Sequence, residues 1–163
     1  MIRASHAEDA ASIAAIWNPI IQDTAITFWP TERTETEIAT IIADRHGAGH
    51  AHLVAEADGR IIGFATYGQF RGGLGYARSM EHTIHIAPDQ RGTGLGRHLM
   101  TAIKDHARAA GHRLMIGDIT GSNDGSLRFH QRMGYAEWGR IPAAGWKFGQ
   151  FHGLVFMGKD LAG

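Results

Sequence analysis

The sequence predicts one mixed α/β domain that spans residues 1–163. Two kinds of apolar pattern predict this fold class. Four segments repeat apolar residues at helical spacing, and six others have the apolar patterns typical of strands. A third observation is size, since 163 residues, 44% of them hydrophobic, suffice to fill one core. No repeat, low-complexity tract or linker divides the chain, and the elements follow the order ααβββαβαββ.

Two capping boxes begin the first two predicted helices. Ser5 and Glu8 form the first box, and Thr34 and Glu37 form the second. Each box is followed by isoleucines at helical spacing. Gly47 is expected to end the second helix, because glycine readily adopts the left-handed conformation that closes helices.

Turn residues separate the predicted strands. Asp58 and Gly59 lie between two apolar-rich runs and suit the positive φ angles of a two-residue hairpin turn. The next strand, residues 81–86, alternates between two faces and ends before Pro88. Beyond it the patterns predict a helix from Leu95 to near Gly111, a short helix capped by Asn123 or Asp124, and strands at 112–120, 135–140 and 154–159.

The segment Q-R-G-T-G-L-G-R, residues 90–97, joins a predicted strand to a predicted helix. Arg97 stands where a Walker A loop and a dinucleotide fingerprint both need glycine, which excludes both kinds of loop. Glycines let successive N–H groups converge on an anion, and the helix N-terminus and Arg91 add positive charge. The segment therefore predicts a phosphate site, with a tight turn that binds no ligand as the alternative.

Composition and charge exclude several classes of protein. Lys and Arg together number 16, as do Asp and Glu, so neither a nucleic acid nor a membrane surface is an expected partner. The absence of cysteine excludes disulfides and thiolate chemistry, and with no signal pattern or spanning apolar run it favours a cytoplasmic protein. His46, His50 and His52 lie close together, but the glycines between them disfavour a shared helix face, so no metal site is expected.

Three segments resemble the GNAT family of N-acetyltransferases. H-I-A-P-D-Q-R-G-T-G-L-G (85–96) resembles the family's acetyl-CoA signature, and N-D-G-S-L-R-F-H-Q-R-M-G-Y (123–135) resembles its second cofactor segment. I-P-A-A-G-W-K-F-G-Q-F-H-G-L (141–154) resembles the tail of the branch that acetylates phosphinothricin, methionine sulfoximine and methionine sulfone. The resemblance implies the GNAT acyl-CoA N-acyltransferase fold, with a mixed, mostly antiparallel sheet flanked by helices. It also implies acetyl-CoA as cosubstrate and a homodimer.

The resemblance assigns acetyl-CoA binding to the strand before the glycine loop, to the loop itself and to the second cofactor segment. Backbone groups of the strand would pair with the amides of the pantetheine arm, as an added strand would. Asn123 would bind the same arm, and a helix N-cap is its alternative role. The cofactor residues are Ile84, His85, Ile86, Gln90, Arg91, Gly92, Thr93, Gly94, Leu95, Gly96, Arg97, Asn123 and Ser126.

Two residues are candidates for proton transfer. The resemblance implies that Glu81 takes a proton from the acceptor's ammonium group, directly or through water, and a solvated carboxylate at a strand end is the alternative. Such a step is required because an α-amine, with a pKa of about 8, is mostly protonated at neutral pH. His130 stands where many relatives have a tyrosine near the departing sulfur; it would protonate the thiolate or pack as a wall of the cofactor tunnel. Tyr135 is a second candidate for that proton.

For the acceptor, the resemblance points to the segment before Glu81. Arg71 and Tyr76 match its basic and aromatic positions, and Arg78 is a rival to Arg71 as partner of an α-carboxylate. Phe28 resembles an aromatic of the acceptor pocket, with core packing as its alternative. The expected reaction is direct acetyl transfer to the α-amine of a small amino acid in a ternary complex. A polyamine, aminoglycoside or protein N-terminus as acceptor, and a non-catalytic acyl-CoA-binding module, stay open as alternatives.

Overall fold

The computed structural model describes residues 1–163. Seven strands form one sheet, and every neighbouring pair is antiparallel except the fourth and fifth strands, which run parallel. No helix is both long enough and apolar enough to span a membrane. The elements, in chain order, are β1 (Ile2–Ala4), α1 (Ala10–Asp23), α2 (Glu35–Gly47), β2 (His52–Ala57), β3 (Arg60–Gln69), β4 (Ser79–Ile86), α3 (Leu95–Ala109), β5 (Leu114–Thr120), α4 (Asp124–Arg132), β6 (Ala136–Lys147) and β7 (Gln150–Asp160).

The sheet has the strand order β1-β2-β3-β4-β5-β7-β6, and apolar cores cover both of its faces. α1 and α2 pack on one face, where Ile13, Ile38 and Phe64 are fully buried. α3 packs on the other face around Leu99 and Ile103, and apolar residues of α4 pack against the same core. The alternation of β4 therefore directs Glu81 and the other odd-numbered side chains toward the face of α1, and the even-numbered ones toward α3 and α4.

The N-terminus differs from the prediction in two ways. β1 was not expected, and the Ser5–Glu8 capping box is wrong. Ser5 follows β1, its N–H donates to the carbonyl of His52, and its buried Oγ lies 2.7 Å from Nδ1 of the same histidine. Pairing with β2 thus uses the hydroxyl that the local pattern had assigned to a helix. The second box is confirmed, because Thr34 and Glu37 exchange reciprocal hydrogen bonds of 3.1 Å.

The last two strands are longer than predicted, because β6 runs to Lys147 and β7 begins at Gln150. Pro142 and Gly145 therefore lie within β6. β6 lies at the sheet edge, where a proline costs no ladder hydrogen bond on the solvent side, and its register against β7 slips between Ile141 and Gly145. Ala143 within that bulge has a φ of 55°. The Asp58–Gly59 turn is confirmed, with φ angles of 52° and 74°.

Candidate active site

A cavity of about 1120 Å³ lies where β4 and β5 part. The two strands pair only from Ser79 to Glu81 and from Leu114 to Ile116. Beyond that point β4 remains paired with β3, and β5 with β7, so each strand keeps an unpaired edge toward the cavity. The backbone groups of residues 82–86 are therefore free on this side to pair with an extended ligand. Ile84, His85 and Ile86 all line the cavity, as the prediction for the cofactor arm requires.

The glycine loop closes one end of the cavity. Gly92 and Gly94 have φ angles of 78° and 89°, and a Cβ at either position would meet no atom within 4 Å, so the approach to their N–H groups is open. Gly94 caps α3 without a side-chain acceptor, which leaves the first N–H groups of the helix free for an anion. Arg91 and Arg97 also line the cavity and form no salt bridge within the protein. The loop therefore fits a phosphate-bearing ligand such as coenzyme A.

Not every predicted loop residue lines the cavity. Gly96 does, whereas Gln90, Thr93 and Leu95 do not. Thr93 Oγ1 donates to the carbonyl of Gln90 at 2.7 Å, and Leu95 packs against the core on the α3 side. Thr93 thus supports the conformation of the loop through the Gln90 backbone, and Leu95 anchors the start of α3 to the core.

The second cofactor segment combines a helix cap with a cavity wall. Asn123 Oδ1 accepts from the N–H of Ser126 at 3.2 Å and so caps α4. Both residues line the cavity, and the side-chain Nδ2 of Asn123 has no partner within the protein. The two roles predicted for Asn123 are therefore compatible, because the cap uses its oxygen and leaves its two N–H donors for a ligand.

Glu81 faces the cavity from the last paired position of β4. Burial raises the pKa of its carboxyl to about 7, and the neighbouring Asp118 carboxylate adds to this rise through its charge and a hydrogen bond between the two groups. The Arg45 guanidinium acts in the opposite direction and partly offsets it. A carboxyl with a pKa near 7 is suited to general base catalysis at neutral pH.

Asp118 is a site residue that the sequence analysis missed. It is the one charged residue in the apolar strand L-M-I-G-D-I-T, and this position was the signal available. Its side chain is exposed to the cavity, and the surrounding protein also raises the pKa of its carboxyl. Burial causes this rise, whereas the hydrogen bond with Glu81 lowers the pKa of Asp118, so of the two carboxyls Asp118 ionises more readily and Glu81 keeps the proton.

His130 lines the cavity from α4 and is buried. Its Nδ1 lies 2.7 Å from the carbonyl of Ser126 and must be the protonated nitrogen, because a carbonyl only accepts. Nε2 is buried without a partner, and burial lowers the pKa of the ring. His82 stacks on it with ring centroids 5.2 Å apart, and Gly117 makes room, since a Cβ there would lie 2.8 Å from His82. His130 is thus a neutral ring in a rigid wall.

Tyr135 lies in the core, outside the cavity. It is buried, its hydroxyl donates to the sulfur of Met100 at 3.1 Å, and it does not line the cavity. Burial raises the pKa of its hydroxyl above the usual value. The phenol therefore belongs to the core beneath α3.

Phe28 lines the cavity from the segment between α1 and α2, stacks on His152 at 5.8 Å and covers Gly145. Lys147, which the sequence analysis did not single out, holds this segment in place. Its buried ammonium donates to the carbonyls of Ile21, Thr24 and Thr27, the last two at 2.7 and 2.8 Å. All three donors of the ammonium are thereby used.

The other predicted acceptor residues lie outside the cavity, in the loop between β3 and β4. Arg71 and Tyr76 are exposed, with the guanidinium 5.7 Å from the ring centroid. Arg78 donates to the carbonyl of Gly111 at 3.0 Å, near the C-terminal end of α3. Within one chain Phe28 and Glu81 therefore line the same cavity, and these three residues do not.

Comparisons with known proteins agree with this geometry. Residues 15–135 match the Acetyltransferase (GNAT) family. The chain is 35% identical to the L-amino acid N-acyltransferase MnaT of Escherichia coli, over 98% of this chain and 93% of that protein. It is also 35% identical to an L-methionine sulfoximine/L-methionine sulfone acetyltransferase of Pseudomonas aeruginosa, over 98% and 94%.

A solved structure shows the same fold with the cofactor present. An acetyltransferase of Salmonella typhimurium, determined with acetyl-CoA, superimposes with a TM-score of 0.95 at 30% identity and covers 99% of this chain and 93% of that one. The predicted fold class and cosubstrate are confirmed by these likenesses. The chain belongs to the GNAT family and is an acetyl-CoA-dependent N-acetyltransferase.

Proposed function

We propose that this enzyme acetylates the α-amine of a small amino acid or amino-acid analogue, of the kind represented by methionine sulfone, methionine sulfoximine and phosphinothricin. One observation carries the proposal: Glu81, with a pKa of about 7, faces a cavity that also contains the glycine loop and the unpaired edge of β4. The names of the relatives support the acceptor class.

The roles of the residues follow from which face of the sheet they occupy. Acetyl-CoA supplies an acetyl thioester. Glu81 lies on the α1 side and accepts a proton from the acceptor's ammonium group, directly or through water, so that the amine lone pair is available for attack. Backbone N–H groups on the free edge of β4 stabilise the carbonyl oxygen as negative charge develops on it. The amine nitrogen bonds to the acetyl carbon, the C–S bond breaks, and the departing thiolate takes the proton that the attacking nitrogen loses. Direct transfer needs no nucleophile from the protein, and the chain has no cysteine.

We assign His130 to the wall of the cofactor channel. Its only N–H is committed to the Ser126 carbonyl, and its lowered pKa disfavours the imidazolium that would be needed to protonate a thiolate. His130→Asn should therefore raise the KM for acetyl-CoA while leaving the pH dependence of kcat unchanged. Loss of a basic limb in the pH profile of kcat would instead identify His130 as the acid.

The function is tested by following the release of coenzyme A thiol with a disulfide reagent, to which a chain without cysteine contributes no background. The panel contains methionine sulfone, methionine sulfoximine, phosphinothricin and the twenty common amino acids, with spermidine, an aminoglycoside and an alanyl peptide for comparison. Turnover with an amino acid at a kcat/KM at least about a hundredfold above the other amines supports the proposal. A preference for one of those amines would replace the acceptor class. Tight binding of acetyl-CoA without turnover on any amine would favour a binding module.

We also infer a homodimer located in the cytoplasm, where a chain without cysteine suits the reducing environment. The β6–β7 hairpin supports the dimer, because Trp146, Phe148 and Phe151 are each more than half exposed. Neighbouring exposed aromatics of this kind are typical of a surface that binds another protein. Light scattering should give twice the 17.7 kDa chain mass, and Phe151→Ser should shift the mass toward the monomer. Leu74→Ser, at an exposed apolar residue elsewhere, is the control; a monomeric wild type would contradict the inference.

A further inference from the structure

Arg33 occupies a defined position on the wall of the cavity, just before α2. Its guanidinium carbon lies 4.0 Å from the ring centroid of Trp29 and 5.3 Å from that of Trp17, so the cation is close to two indoles. Its backbone is fixed to α1, because its N–H donates to Asn18 Oδ1 at 2.8 Å and its carbonyl accepts from Asn18 Nδ2 at 2.9 Å. Hydrogen bonds therefore fix the backbone of Arg33, and contact with the two indoles positions its side chain.

This arginine has no acidic partner. Five other arginines pair with carboxylates within the protein, whereas no carboxylate lies within 4.0 Å of the Arg33 guanidinium, and its Nε is buried without an acceptor. Aromatic faces attract a guanidinium but accept none of its five N–H donors in a strong hydrogen bond. A planar fork presented in this way matches the two oxygens of a carboxylate.

Arg33 also lies on the acceptor side of the sheet. Trp17, against which it stacks, contacts Phe64 and His85 at centroid distances of 5.4 and 6.2 Å. His85 shares its face of β4 with Glu81, whereas the glycine loop leads into α3 on the opposite face. Arg33 and the candidate base therefore line the same half of the cavity.

We propose that Arg33 binds the α-carboxylate of the acceptor amino acid. The inference rests on the proposed function and deepens it, since it explains how a single chain distinguishes an amino acid from a simple amine. It assigns this role to Arg33 because Arg71, the residue expected from the sequence, stacks on Tyr76 outside the cavity. The two indoles keep the guanidinium plane fixed and partly dehydrated, which strengthens its bond to a carboxylate.

The test compares wild type with Arg33→Met, Arg33→Lys and the control Arg128→Met, which removes an exposed arginine of α4 that does not line the cavity. Methionine sulfone is titrated calorimetrically into the complex with coenzyme A, and its carboxamide, which lacks the negative charge, is titrated in parallel. Arg33→Met should weaken binding of the acid by about 10- to 100-fold, the range for a hydrogen-bonded charge pair, and leave the amide within about twofold. Arg33→Lys should recover part of the affinity, and Arg128→Met should behave as wild type.

Other outcomes separate the possible errors. If Arg33→Met weakens binding of acetyl-CoA and not of the acid, Arg33 binds a phosphate of the cofactor and the proposal is overturned. Equal losses of affinity for the acid and the amide would show that Arg33 has only a structural role. Unchanged affinity for both would show that Arg33 does not bind the acceptor. Either result overturns the proposal. Wild type that turns over amino acids while Arg33→Met binds them normally overturns this proposal alone. Wild type that binds the acid through Arg33 without turnover overturns the proposed function alone, and wild type that binds no amino acid overturns both.

Discussion

Replacing Asp118 by asparagine should lower the pKa of Glu81 and shift the pH dependence of catalysis. The change removes a negative charge beside Glu81 and keeps the shape of the side chain. Burial, the largest cause of the rise to about 7, is retained, and so is the opposing charge of Arg45. We therefore expect the pKa of Glu81 to fall by about one unit, which corresponds to about 1.4 kcal/mol.

The sign of the expected change in rate follows from the proposed role of Glu81 as a base. At pH 6 a carboxyl with a pKa of 7 is deprotonated in about a tenth of the molecules, and one with a pKa of 6 in about half. The kcat/KM for methionine sulfone, relative to its plateau value, should thus rise about fivefold at pH 6 in Asp118→Asn. The plateau itself should fall, because a weaker base accepts the ammonium proton less readily.

The assay is thiol release measured between pH 5 and 9, because the acid limb of kcat/KM reports the pKa of the free enzyme's base. Asp58→Asn makes the same charge change in the β2–β3 turn, away from the cavity, and should leave the limb in place. Glu81→Gln should abolish the limb and lower kcat by about 10²- to 10⁴-fold. An acid limb that is identical in wild type and Asp118→Asn, or one that persists in Glu81→Gln, would refute the assignment.

Three further predictions follow from other parts of the structure. Gly94→Val forces a β-branched residue to a φ of 89° in the glycine loop, so calorimetry should show acetyl-CoA binding weakened by more than about tenfold. The control Gly59→Val, at a φ of 74° in the β2–β3 turn, should leave acetyl-CoA binding unchanged. Lys147→Met leaves three carbonyls without their donor and should lower the free energy of unfolding in urea by about 1–3 kcal/mol. The acceptor KM should rise while the affinity for acetyl-CoA stays unchanged. An unaltered acceptor KM would exclude a positioning role for Lys147. Burial lowers the pKa of His52 to about 4 and of His82 to about 3, below the unfolded value of about 6.5, so the unfolded state binds more protons in that interval and stability falls as the pH drops below 6.5. Urea unfolding should show a loss of about 2 kcal/mol per histidine between pH 7 and pH 5, and equal stability at the two pH values would contradict the burial of neutral rings.

Local patterns were sufficient where the cause of a structure is local. The Thr34 capping box, the Asp58–Gly59 turn and the glycine loop were each predicted correctly, because a few neighbouring residues set their backbone conformation. The Ser5 box was wrong because the competing partner, His52, is 47 residues away in the chain. The continuation of β6 through Pro142 was missed for a similar reason, since only the position of the strand at the sheet edge makes proline acceptable there.

By itself the sequence determined the fold class through its apolar periodicity, and its contiguous glycine motif predicted a phosphate site. The resemblance to the GNAT family implied acetyl-CoA as the ligand of that loop and Glu81 as the candidate base. The tertiary structure alone decided what surrounds that base. The parting of β4 and β5 brings Asp118 beside Glu81, and the crossing of α1 over the sheet brings Arg33 and two indoles into the same cavity. A shifted pKa and a cation–aromatic contact depend on distances between residues apart in the chain, and such distances exist only once the strands and helices have packed.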